Sequence, residues 1–143
     1  MSARLIRVSS RATGERREVR VWVYDTLAEM RAAGTRFNGH DFSNAGGITQ
    51  QYSRVRTDTD GRRIAHASTI IVRICRQRLG TTVVVHEMNH AAVSIYGSSL
   101  RGNELAIDVL DNANETLAYL QSDLTGALVR RLHDLGYYES EQR

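Results

Sequence analysis

Strand patterning fills most of the first half of this chain and helix patterning the second, and that order limits the folds open to it. The segment REVRVWVYD (17–25) alternates, with Val19, Val21 and Val23 on one face, as a half-buried strand does. ITQQYSRVRT (48–57) and RRIAHASTIIVRI (62–74) are two further strands, and the turn residues DTDG between them make a hairpin. In TLAEMRAA (26–33), Thr26 followed three residues later by Glu29 is a capping box opening a short helix, with Gly34 as its stop. Residues 34–47 are rich in Gly and Asn and lack periodicity, so a long loop is expected there. From about residue 79 to 137 the pattern is helical, punctuated by Gly97 and Gly102. Strands with one helix, then helices, is an α+β order: a small antiparallel sheet with helices packed on one side.

The 143 residues correspond to one domain, with 41 % hydrophobic and 24 % charged residues, and this excludes a disordered chain. No apolar run approaches the ~20 residues of a membrane span. The start, MSARLIRVSS, lacks the apolar middle of a secretion signal, so a cytoplasmic location is expected. The single cysteine, Cys75, has no internal partner, which fits a reducing compartment, and it reads as a small buried hydrophobe. All 19 basic residues are arginine, yet the net charge is only +3 and the arginines are scattered in short pairs. Nucleic-acid binding calls for a denser stripe, so that function class is disfavoured.

The chemistry concentrates in TTVVVHEMNHAAVSIYG (81–97), which holds His86, Glu87 and His90 as H-E-x-x-H. On a helix, residues four apart lie one turn up the same face, so His86 and His90 can aim two imidazole nitrogens at one zinc ion. Glu87 can reach a water on such a metal without being a ligand, the place of a general base. On a strand the two histidines would stand about 13–14 Å apart at ~3.3 Å per residue, too far to share an ion. A triple valine before the motif leans towards strand, and a core helix with two incidental histidines is the plain alternative.

A catalytic zinc wants a third protein ligand and one open position. Downstream lie Glu104, Asp108, Asp111, Glu115, Asp123 and His133. Glu115 in NANETLAYLQSDL is preferred, because GSSLRGN lets the chain reverse and lay a second helix against the first, and Ala118 permits close approach. Asn112 with Glu115 is also a capping-box spacing, and Asp111, Glu104 and His133 stay open as alternatives. Tyr119, Tyr96, Arg101 and His133 are candidates for stabilising an oxyanion, none of them assigned. His40 and His66 read as ordinary polar residues, and Leu117, Leu120, Leu124 and Leu128 as core at helical spacing.

HEMNH, 23 intervening residues and NETLAYL together resemble the gluzincin-type zinc peptidases, above all small single-domain versions from bacteria and bacteriophages, including the repressor-cleaving peptidases of mobile elements. The likeness covers mainly residues 81–124. It implies a zincin-like fold, zinc on His86, His90 and Glu115, Glu87 as base, and a protein or peptide substrate inside a bacterial or phage-infected cell. It also implies that the strand around residues 64–72 is an edge to which an extended peptide can pair. The rival function is a non-catalytic, phage-type structural or interaction module that zinc merely staples. Glu87 separates the two, since a structural site needs no base beside its first ligand.

Overall fold

The computed structural model describes residues 3–99 and 107–137, the side chains of 53, 55–56, 64–68, 107–115 and 118 excepted. Four strands form the sheet: β1 (Arg4–Ser10), β2 (Arg17–Tyr24), β3 (Ile48–Thr57) and β4 (Arg63–Cys75), in the order β1-β2-β4-β3. Three helices accompany it: α1 (Leu27–Asn38), α2 (Thr81–Ser99) and α3 (Ile107–Asp134). The α+β class holds, but the sheet is mixed rather than antiparallel. β1/β2 and β3/β4 are antiparallel hairpins, whereas β2 and β4 run parallel, with Val19 opposite Ile70 and Tyr24 opposite Cys75. The route from β2 through α1 and β3 is long enough to bring β4 alongside in the same direction.

The helices do not share one side, and strand alternation explains why. Val19, Val21 and Val23 of β2, Ile70, Val72 and Ile74 of β4, and Ile6 and Val8 of β1 point to one face. α2 covers that face with Val84, Met88, Ala91, Ala92 and Ile95, and α3 with Leu120, Leu124, Leu128 and Leu132, all essentially buried and spaced as helix stripes. Each of the Val, Leu, Ile and Met side chains among them contributes about 1.5–3 kcal/mol by leaving water. The opposite face carries Tyr24, Ile48 and Cys75, and α1 packs there through Met30 and Ala33. Residues 70–75 of β4 are therefore buried on both faces, and Cys75 is an inert core residue.

The expected helix start holds: Glu29 N donates to Thr26 Oγ1 at 3.2 Å. The expected stop does not. α1 runs through Gly34 to Asn38 and ends at Gly39, whose φ of 79° suits a residue without Cβ. Gly34 serves packing instead, because a Cβ there would lie 2.7 Å from Ile48 Cδ1 and 3.1 Å from a Phe42 ring carbon. Gly34→Val should cost about 1–3 kcal/mol by overpacking, read as a lower denaturation midpoint at unchanged m. The loop is correspondingly shorter, 39–47.

β1 has no counterpart among the sequence expectations. Its inward residues Ile6, Val8 and Ser10 alternate, and Ser10 Oγ donates to Asp123 Oδ2 of α3 at 2.6 Å. No helix among the described residues is long and apolar enough to cross a membrane.

Candidate active site

The H-E-x-x-H segment is helical, the core packing of α2 having overridden the strand preference of Val83, Val84 and Val85. Its first turn starts from Gly80, whose carbonyl accepts from Val84 N at 3.1 Å. One turn apart, His86 and His90 bring their Nε2 atoms to 3.2 Å, the rings edge-on with centroids 4.8 Å apart. Two nitrogen ligands of a tetrahedral zinc at ~2.0–2.1 Å stand roughly 3.3–3.4 Å from each other. The pair thus already has the separation of two tetrahedral vertices.

Both histidines are exposed, while Glu87 between them is 5 % exposed. Thr49 Oγ1 of β3 donates to Glu87 Oε1 at 2.8 Å and lies 3.3 Å from the Glu87 carbonyl oxygen. Glu87 Oε2 is 3.8 Å from His86 Nε2. The carboxylate lies flat over Gly47, where a Cβ would come within 2.8 Å of Oε2 and 2.9 Å of Cγ. So one oxygen is anchored to the sheet, the other is turned towards the histidines, and the missing side chain at 47 makes the room.

These groups line a cleft of about 490 Å³ between α2 and β3, whose walls include Phe42, Gln51, Val93 and Ser94. The 39–47 loop closes one end. Within it Asp41 accepts from Ser43 N at 2.9 Å, and hydrogen bonds from the Ser43 backbone and side chain hold the Asp41 carboxyl below its ordinary pKa.

Strand order corrects the expectation for the substrate edge. Residues 70–73 of β4 are paired on both sides, with β2 and with β3, and the strands at the sheet's edges are β1 and β3. The edge beside the histidines is β3. Thr49 and Gly47 had no signal of their own in the sequence, beyond the Gly46–Gly47 pair heading a strand.

Of the candidate third ligands, Asp123 is occupied by Ser10, and His133 is exposed near the far end of α3. Among the described residues no group of three or more His, Cys, Asp or Glu comes together as a metal site. The side chains of Glu115, Asp108 and Asp111, and residues Arg101 and Glu104, lie outside the described residues, as does the His66 side chain. The backbone is informative all the same. Gln121 Nε2 donates to the Val85 carbonyl at 3.5 Å. Gln121 is fourteen residues into α3 and Val85 fourteen residues before the end of α2, the match expected of an antiparallel helix pair.

Tyr96 is buried in the core and Tyr119 is 63 % exposed. His40 is exposed in the loop, its ring 6.3 Å from that of Phe42. Leu120, Leu124 and Leu128 are core as expected, with Leu117 packed at its margin.

Thr49→Val removes the hydroxyl from a buried carboxylate and should lower stability by about 1.5–3 kcal/mol, whereas Thr49→Ser should keep most of it; chemical denaturation measures both. No protein-family profile matches the chain, and neither a curated protein nor a solved structure matches it.

Proposed function

We propose that the chain is a zinc-dependent metallopeptidase of the gluzincin type, with a zincin-like fold, cutting peptide bonds of a protein inside the cell. The observation that carries this reading is the 3.2 Å Nε2 separation of His86 and His90 beside a buried, anchored Glu87. An incidental histidine pair on a core helix has no reason to sit next to a carboxylate held over a glycine. In this reading His86, His90 and Glu115 hold the ion, Glu115 belonging to the helix that packs against α2. Zinc, when bound there, lowers the pKa of a water towards 7 and polarises a carbonyl.

The chain's own residues do the rest. Thr49 takes up Oε1 of Glu87, leaving Oε2 on the histidine side to accept a proton from the attacking water and later pass it to the leaving amine. β3, as the neighbouring sheet edge, gives an extended peptide a strand to run along, which delivers its backbone to the cleft. The exposed Val93 adds an apolar contact for a substrate side chain.

Metal analysis of the purified full chain tests the reading. One zinc per chain is expected, with retention at least tenfold weaker in Glu115→Ala, since even a residue that only supports a ligand contributes ~10–100-fold to affinity. A wild-type chain that binds no zinc would overturn the peptidase reading. A Glu115→Ala protein that holds zinc normally would move the third ligand elsewhere.

A further inference from the structure

A second cavity among the described residues is larger than the histidine cleft. It has a volume of about 680 Å³ and lies on the opposite face of the sheet, between α1 and strands β2 and β4. Trp22, Tyr24 and Phe37 give it aromatic walls, and Ala28, Ala32 and Ala33 keep the helix side open. A volume of this order suits a small organic molecule.

One wall is Arg73 of β4, which is only 7 % exposed. Its Nε donates to Gln50 Oε1 at 2.8 Å, and Gln50 in turn donates to the Gly34 carbonyl at 2.8 Å. Arg73 Nη1 donates to Tyr24 Oη at 2.7 Å, and the guanidinium carbon lies 5.7 Å from the Phe37 ring centroid. These bonds fix the fork in place but leave its charge uncompensated: no carboxylate pairs with Arg73 among the described residues. Of the five N–H donors of an arginine, these two bonds use two. A buried cation held by neutral partners and bordering a cavity is costly unless an anion completes it.

Two other charged groups stand on the wall. Arg36 neighbours Phe37 at the Arg73 end, whereas Glu29 is seven residues earlier on α1, about 10 Å away along the helix. Arg73 and Arg36 thus accompany Tyr24 and Phe37, with Glu29 about two helical turns earlier on α1.

We infer that this cavity binds a small organic acid with a flat apolar body, its carboxylate seated on Arg73 and its body among Trp22, Tyr24 and Phe37. The inference does not depend on the peptidase reading, because the two sites occupy opposite faces of the sheet.

Isothermal titration of the full chain with 2-naphthoate, its neutral analogue 2-naphthalenemethanol, and inorganic phosphate tests it. 2-Naphthoate should bind, and the neutral analogue and phosphate should each bind at least about tenfold more weakly, the size of one lost charged hydrogen-bond pair. Arg73→Met should weaken 2-naphthoate by a similar factor. Ala32→Trp fills the cavity from the helix side, leaves Arg73 in place and should abolish binding, so it decides the matter if Arg73→Met does not fold. His90→Ala should bind 2-naphthoate like the wild type. Equal affinity for acid and alcohol, equal affinity for phosphate, unchanged binding in Ala32→Trp, or binding lost in His90→Ala would each overturn the inference, the last by placing the acid in the histidine cleft.

Discussion

Glu87→Gln is expected to leave a folded protein that still holds one zinc per chain and has lost peptide hydrolysis by a factor of about 10²–10⁴, the usual contribution of a positioned general base. The substitution is nearly isosteric. Glutamine can turn its carbonyl oxygen to the Thr49 hydroxyl, which now meets Glu87 Oε1 at 2.8 Å, so the anchor to β3 survives. What goes is the second oxygen as a proton acceptor, because an amide NH₂ in that place has no free lone pair. Cleavage of labelled casein, zinc content and the thermal midpoint separate these effects. Hydrolysis at the wild-type rate in a folded, zinc-loaded Glu87→Gln protein would end the case for a base at this position.

His90→Ala should instead lose the metal itself. It removes one of two nitrogens now 3.2 Å apart and leaves His86 without its partner for a shared ion. Affinity for zinc should fall by more than about 100-fold, beyond the ~10–100-fold that follows loss of a supporting residue. The fold should survive, since both rings are exposed and the core under α2 is made by Val84, Met88, Ala91 and Ile95. Equilibrium dialysis against zinc gives the affinity and circular dichroism the fold. If His90→Ala and wild type bind zinc equally, the histidine pair is not a ligand pair.

The histidine–glutamate geometry was readable because it depends only on helical spacing: residues 86 and 90 share a face in any α-helix, and residue 87 lies beside them. The hairpin of β3 and β4 was readable for a similar reason, with DTDG between two strand-like runs. Gly34 shows how a local rule fails. It looked like a helix terminator, but the neighbourhood of Ile48 and Phe42, contributed by later parts of the chain, makes it the residue that lets α1 approach the sheet. β1 escaped because its alternation, Ile6–Val8–Ser10, is short and ends on a polar residue whose partner, Asp123, is more than a hundred residues away.

By itself, the sequence determined which segments become strands or helices over most of the chain, and it set the two imidazoles and the acid on one helix. Those are consequences of short-range periodicity, which backbone geometry imposes within a few residues. Tertiary structure alone decided that β4 lies parallel to β2, that β3 rather than β4 is the edge beside the cleft, and that α1 covers the face opposite α2 and α3. It also brought Thr49 and Gly47 against Glu87 and left Arg73 on the wall of an aromatic cavity with no carboxylate paired to it among the described residues. Those relations depend on burying two faces of one sheet at once, a condition set by contacts between residues far apart in the chain.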